Sequence, residues 1–277
     1  MQNFSQNNAA CVSLIEELLR GEALVCKNRI ALFDQIDSTN TYLKTAANNG
    51  APHASAAIAA SQTNGRGRLG RSFYSPDQTG IYLSLLYKTE EQITKPAVFT
   101  AAAAVAVERA VKKLCGISLG IKWVNDLYLN GQKVCGILCE GVALPEEGLK
   151  TIIIGIGVNI STANFPEEIQ NKAGSLFGAE KAAAALDGTA QKDFRLVLAA
   201  EILNQLFECY KTSNSEEVLG EYKEKSIVLG KNVEVITPKG NYFAKAVDIS
   251  CDAELIVQKD DGTKTALNSG EISVKPQ

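Results

Sequence analysis

The chain has 277 residues, of which 45% are hydrophobic and 21% charged, with a formal net charge of −3. That length holds one large domain with a small one, or two of similar size, and the composition excludes wholesale disorder. A slightly acidic balance argues against a general nucleic-acid binder, so any anion site has to be local.

The first residues, MQNFSQNNAACVSL, carry no early positive charge and no long apolar core, so no signal peptide is expected. The longest apolar runs, TIIIGIGVNI and TAAAAVAVERA, are too short or too interrupted to span a membrane. A cytoplasmic protein without membrane contact is expected. Seven cysteines, at positions 11, 26, 115, 135, 139, 209 and 251, are an odd set scattered through apolar contexts, which reads as buried free thiols. Cys135 and Cys139 have no second ligand pair and His53 is the only histidine, so no metal site is expected.

In chain order, a polar start leads into the short amphipathic piece CVSLIEELLRGE and the strand RIALFDQI. In DSTN, Asp37, Ser38 and Thr39 are all N-cap candidates for a helix over TYLKTAANNG. SAAIAASQ reads as a buried strand entering QTNGRGRLGR, and the alternating GIYLSLLYK is the next strand. KPAVFTAAAAVAVERAVKKLCG is the clearest helix, with Pro96 near its start, Lys112 and Lys113 in its last turn and Gly116 beyond it. LGIKWV, LYLNGQKVCGILCEG and KTIIIGIGVNIS follow as strands. The Asn130–Gly131 turn makes a hairpin that places Lys133 just after it. Residues from about 161 to 192 look irregular. Phe194, Leu198, Ile202, Leu206 and Tyr210 recur at four-residue spacing, an amphipathic helix. From Ser226 the texture changes to short strands, KNVEVIT, NYFAKAVDIS, AELIVQ and KTALNSGEISV, a small all-β module. The expected division is therefore an N-terminal segment 1–29, a main domain 30–225 and a β-module 226–277.

Three segments concentrate chemistry. Residues 65–71 hold three glycines and three arginines with no acid among them. The pattern matches neither the Gly-x₄-Gly-Lys-Ser/Thr phosphate loop nor a dinucleotide fingerprint. It reads as a solvated basic loop, as a nonspecific nucleic-acid patch, or as a flexible loop whose amides and guanidinium groups close over a polyanion. In KWVNDLYLNGQKVCGIL, a plain hairpin with a core tryptophan accounts for Trp123 and Leu127. It accounts less well for Lys122, Asn125, Asp126 and Lys133 gathered between apolar strands. In GIGVN, Gly155 and Gly157 inside a β-branched strand mark a bulge or a surface closely approached by something else. Asn159 at that strand's exit reads equally as a ligand contact or a turn asparagine.

DSTN, QTNGRGRLGR, KWVNDLYLNGQKVCGIL and GIGVN, in this order and at this spacing, resemble the biotin protein ligase family, over about Ile30 to Lys275. The resemblance implies an α+β fold: a mixed β-sheet flanked by helices, class II synthetase-like, with a small C-terminal β-barrel. It implies an enzyme that uses biotin and ATP with Mg²⁺ to form biotinyl-5′-AMP, then passes the biotinyl group to one lysine of a biotin carboxyl carrier protein. By motif, Ser38, Thr39, Asn40 and Gln62 line the biotin pocket. Arg66, Gly67 and Arg68 close over biotin and its acyl-phosphate, and Gly136 offers backbone groups to biotin. Lys133 touches the carboxylate and α-phosphate and carries the adenylation step, Asn125 orients the reacting groups, Asn159 orients the adenine, and Phe73 and both arginines border the ATP. Where relatives have Lys-Trp-Pro-Asn-Asp this chain has Val124, which removes a fixed φ, and Phe73 stands where Trp is common. Fewer than thirty residues precede the first catalytic strand, so a ligase without a DNA-reading head or repressor role is expected, as a monomer or weak homodimer. A lipoate or octanoyl ligase of related fold is the first alternative, and a nucleic-acid-binding module the second.

Overall fold

A computed structural model describes residues 8–145, 147–177, 190–211, 216–237, 240–268 and 271–274. Helix α1 (Asn8–Leu18) and a 3₁₀ segment (Gly21–Cys26) precede strand β1 (Ile30–Ile36). Helix α2 (Thr39–Asn48) begins where Ser38, in extended conformation, turns its side chain to accept from Thr41 N. Of the three N-cap candidates, Ser38 takes the position. Strands β2 (Ala56–Gln62) and β3 (Gly80–Lys88) follow. Helix α3 (Pro96–Cys115) has proline in its first turn, where the missing N–H costs nothing, and stops at Gly116 in the left-handed conformation.

Strands β4 (Gly120–Lys122), β5 (Asp126–Leu129), β6 (Gln132–Leu144) and β7 (Gly148–Asn159) complete a seven-stranded mixed sheet of order β1-β2-β3-β7-β6-β5-β4. Only β1 and β2 run parallel; the other neighbours are antiparallel. Asn130 and Gly131, at φ of 51° and 80°, form the expected tight turn between β5 and β6.

The two faces of the sheet differ. Ile152, Ile154, Ile156 and Val158 of β7 join Ile81, Leu83 and Leu85 of β3 in the large core beneath α3 and helix α4 (Ala190–Lys211). Leu43 and Ala47 of α2 pack with Leu86, Ile153 and Val142 on the opposite face. Helix α4 is less amphipathic than its spacing suggests. Leu196, Leu198, Ala199, Ile202, Leu203, Leu206 and Phe207 are all buried, because α1 packs against it as well as α3. Its buried Glu201 is held by Arg20 at 2.6 Å and Lys113 at 3.2 Å, and its Asn204 exchanges hydrogen bonds with the backbone of Arg20 and Leu18. Helix α5 (Glu216–Glu224) was not foreshadowed by hydrophobic spacing.

The C-terminal strands β8 (Asn232–Ile236), β9 (Tyr242–Ile249), β10 (Leu255–Gln258), β11 (Lys264–Leu267) and β12 (Glu271–Val274) form one antiparallel sheet of order β11-β10-β9-β8-β12. The expected barrel is corrected here: among the described residues β11 and β12 do not pair, so the sheet is open. KTALNSGEISV also splits into two strands at opposite edges of that sheet, because its halves pair with β10 and β8 respectively. The C-terminal sheet is joined to the large one through Trp123, whose Nε1 donates to Ala253 O at 2.9 Å inside the core.

Candidate active site

On the α2 face of the large sheet, the side chains thin out beyond the end of the helix. Register places Gly136 opposite Gly157 and Leu138 opposite Gly155, with Ser84 opposite Gly155 on the other neighbour. The result is a strip of floor at Gly136, Gly155 and Gly157 that carries no side chains. Both GIGVN glycines are needed for a reason internal to the protein. A Cβ at 155 would overlap the Asn40 amide, and one at 157 would overlap the Phe73 ring, which also lies against Gly136.

The Gly-Arg segment roofs this floor. It is a small hairpin: Phe73 N donates to Gly65 O at 2.8 Å, Gly67 N donates to Arg71 O at 2.7 Å, and Arg66 bridges Ser72. Its tip is a single tight turn, Arg68–Gly70, in which Leu69 and Gly70 both have positive φ and Leu69 is 70% exposed. Under it lies a cavity of about 50 Å³. Ser38, Thr39, Asn40 and Gln62 form one end, Arg66, Gly67, Arg68 and Phe73 the roof, and Asn125, Lys133 and Gly136 the other end. Ile137, Leu138, Gly155, Ile156 and Gly157 complete the wall. Eleven of the sequence-derived candidates thus meet at one cavity: Ser38, Thr39, Asn40, Gln62, Arg66, Gly67, Arg68, Phe73, Asn125, Lys133 and Gly136.

Asn159 is not among the lining residues. It is buried at the exit of β7, its Nδ2 donates to Gly174 O at 3.0 Å, and its Oδ1 has no hydrogen-bond partner among the described residues.

The cations are held at different places. Lys133 Nζ lies 2.7 Å from Asp126 Oδ1 and 5.9 Å from the centre of the Phe73 ring. Arg68 Nη1 donates to Asn125 Oδ1 at 3.1 Å, tying the hairpin tip to the turn between β4 and β5. That turn is clamped from outside, since Asn125 exchanges hydrogen bonds with Ile137 and Tyr222 Oη donates to Val124 O at 2.9 Å. Arg66 reaches away from Arg68 to Glu140, whose Oε1 it shares with Lys44, each at 3.0 Å. Burial opposes ionisation of Glu140, but hydrogen bonds from Asn40 and Lys44 and the charges of Lys44 and Arg66 outweigh it and hold the carboxyl below its usual value.

At the other end, hydrogen bonding is already partly spent. Ser38 Oγ accepts from Thr41 N, which leaves its O–H to be given elsewhere. Thr39 N and Thr39 Oγ1 lie 2.9 and 3.1 Å from Gln62 Oε1, and Gln62 Nε2 donates to Ser75 Oγ at 3.0 Å. Glu140, Lys44, Ser75 and Ser84, which lies 2.7 Å from Thr39 Oγ1, are members of this network that the sequence did not flag. Glu140 sits in an unremarkable strand, and nothing local to Glu140 or Ser84 signals its long-range partners.

Comparison with known proteins follows the same lines. Residues 32–159 match the model of the biotin/lipoate A/B protein ligase family, and residues 228–275 that of the biotin protein ligase C terminal domain. The bifunctional ligase/repressor BirA of Bacillus subtilis is 31% identical over 233 residues, 83% of this chain and 70% of that one. The biotin–[acetyl-CoA-carboxylase] ligase of Mycobacterium tuberculosis is 31% identical over 244 residues, 86% of each chain. Among solved structures, the biotin protein ligase of Aquifex aeolicus in complex with biotin and ATP superposes with a TM-score of 0.71 at 26% identity, over 90% of this chain and 99% of that one. No helix among the described residues is long and apolar enough to cross a membrane.

Proposed function

The chain belongs to the biotin/lipoate A/B protein ligase family, and from that premise we propose that it is an ATP-dependent biotin protein ligase. In the first step a biotin carboxylate oxygen attacks the α-phosphorus of ATP, forming biotinyl-5′-AMP and releasing pyrophosphate. In the second, the neutral amine of an acceptor lysine attacks the acyl carbon, an amide bond forms, and AMP leaves. The acceptor is proposed to be a biotin carboxyl carrier domain and the setting cytoplasmic.

The observation that carries this reading is the polarity of the cavity from end to end. Ser38 has a hydrogen to give and Thr39 a hydroxyl oxygen beside it, the complement of a urea's C=O and N–H. The middle is walled by Leu138 and by the backbone of Gly136, Ile137, Gly155 and Gly157, suited to an uncharged carbon chain. Lys133, Arg68 and Asn125 stand at the far end, where carboxylate and α-phosphate would meet. Two anions must approach each other there, and preorganised cations lower that repulsion most when charge is developing. The Asn159 Oδ1 acceptor is suited to the exocyclic amine of adenine. Mg²⁺ is proposed as the companion ion of ATP, carried on its phosphates and offsetting part of their charge.

A cavity of about 50 Å³ holds a water or two, whereas small-molecule sites run to about 300–1,000 Å³. Ligand entry therefore requires the 65–73 hairpin to lift and Phe73 to leave its glycine floor, and closure over the adenylate follows. The test is mass spectrometry of a carrier domain incubated with the protein, ATP, and biotin, lipoate or octanoate in turn. One biotinyl adduct at one lysine is expected. Lipoyl or octanoyl adducts in place of biotin would assign the chain to the other branch of its family.

A further inference from the structure

We propose that Lys122 binds the diphosphate of ATP as it leaves, one step beyond Lys133 on the same face of the sheet. The proposal rests on the reading of the cavity as the place where biotin is adenylated. Its basis is the direction in which the cavity crosses the strands.

The ring end of the cavity, Ser38, Thr39 and Gln62, lies at the start of α2 and the end of β2. From there the lining crosses β7 at Gly155 and Gly157 and β6 at Gly136 and Leu138, and reaches Lys133 and Asn125 beside β5. That is the strand order of the sheet, in which β4 comes next. The carboxylate oxygen therefore approaches the α-phosphorus from the β2 side. Entering and leaving oxygens at phosphorus stand roughly in line, so the diphosphate departs on the side of β5 and β4. As the carboxylate oxygen bonds to the α-phosphorus, the bond from that phosphorus to the diphosphate oxygen breaks, and the electron pair stays with the diphosphate. Negative charge on the leaving oxygen grows toward the transition state, where a preorganised cation lowers the barrier most.

Register shows what the diphosphate meets. Lys122 of β4 pairs with Asp126 of β5, and Asp126 with Gly136 of β6. Directly paired residues of neighbouring strands project to the same face, and Gly136 lines the cavity. The alternate residues Ile121, Leu127 and Cys135 point the other way, into the core under α3. Lys122 therefore lies on the cavity face two strands beyond Gly136, about 10 Å away at the usual strand spacing. Its Nζ is 5.7 Å from the centre of the Tyr128 ring, and both side chains are half-buried. Burial and the Asp126 charge push the Tyr128 hydroxyl up to about 12, so the ring stays neutral beside the ammonium. The carboxylate between the two lysines is held by Lys133 at 2.7 Å. Lys133 thus serves the entering side of the phosphorus and Lys122 the leaving side.

The experiment makes ATP from preformed biotinyl-AMP and varied pyrophosphate, and pairs it with single-turnover transfer from biotinyl-AMP to a carrier domain. Lys122→Met keeps an unbranched stem against Tyr128 and removes the charge. Its KM for pyrophosphate should rise about 10- to 100-fold, the loss of one hydrogen bond to a charged group. In the forward direction kcat for adenylation should fall about tenfold or more. Transfer and the KM for biotin should stay within about twofold of wild type, because neither involves the diphosphate. Lys122→Arg keeps the charge and should recover most of the loss. An unchanged pyrophosphate KM in Lys122→Met would overturn the proposal. So would transfer falling as far as ATP synthesis, which would make Lys122 a brace of β4 and the Asn125 turn. If Lys122→Met does not fold, Lys122→Gln takes its place with the same expectations. A wild-type protein that makes no ATP from biotinyl-AMP and pyrophosphate overturns the biotin reading itself, and the proposal with it.

Discussion

Lys133→Ala should separate the two half-reactions. Its ammonium is half-buried at the cavity end, paired with Asp126 at 2.7 Å. An ammonium roughly 3 Å from a reacting oxygen, at an effective dielectric of about 20, interacts with a full unit of charge by about 5–6 kcal/mol. Only the charge that develops between bound substrate and transition state affects turnover. For about half a unit that leaves about 2–3 kcal/mol, or about 10²-fold in kcat for adenylation. The deletion also leaves the buried Asp126 Oδ1 without its Lys133 partner, an uncompensated negative charge next to the site proposed for two anions. Lys133→Ala/Asp126→Asn should therefore recover part of the loss. Biotin affinity should fall less than the rate, because Ser38, Thr39 and Gln62 sit at the opposite end. The assay pairs biotin-dependent pyrophosphate exchange with single-turnover transfer from preformed biotinyl-AMP to a carrier domain. Exchange should collapse while transfer is largely retained. Equal losses in both, or a double variant no better than the single, would contradict the assignment of Lys133 to the first chemical step.

Arg68→Gly removes the bond from the hairpin tip to Asn125 and should let biotinyl-AMP escape. Bystander proteins mixed with the enzyme should then acquire biotin on many lysines, and clean bystanders would rule out a retaining lid. Trp123→Phe strands the buried Ala253 carbonyl and should lower unfolding free energy by about 1–3 kcal/mol in urea titration. An unchanged midpoint would mean that this contact does not couple the C-terminal sheet to the large one. Glu201 and Glu221 have carboxyls held below the ordinary value. For Glu201, burial pushes upward and is outweighed by Arg20, Gln205 and Lys113; for Glu221, the Arg109 hydrogen bond leads. Their folded-state values lie below the unfolded one, so their stabilisation is complete above the ordinary glutamate value of 4.5 and is lost as pH falls below it. Melting temperature should be level above that pH and drop beneath it, and Glu201→Gln should flatten the drop.

What could be read from the chain alone depended on how local its cause was. The N-cap within Asp37–Thr39, taken by Ser38, the proline and glycine at the ends of α3, and the Asn130–Gly131 turn are decided within a few residues and are found in the expected segments. The Gly-Arg segment was legible as a special loop because regular structure does not tolerate that composition, but its hairpin stem depends on Ser72 and Phe73 coming back onto Arg66 and Gly65. The glycines of GIGVN were legible as a close approach, whereas what approaches, Asn40 and Phe73, comes from distant segments. Glu140 stayed hidden because its partners lie 74 to 100 residues away. The open C-terminal sheet is a non-local matter too. Alternating short strands are shared by barrels and open sheets, and closure turns on whether the two edge strands meet.

The most direct test of the central claim is exchange of labelled pyrophosphate into ATP by the purified protein. Formation of biotinyl-AMP is reversible through pyrophosphate, so label should enter ATP when biotin is present and not when biotin is omitted or replaced by lipoate or octanoate. Label entering ATP without biotin, or failing to enter with it, would contradict the reading of this cavity as the site where biotin is adenylated.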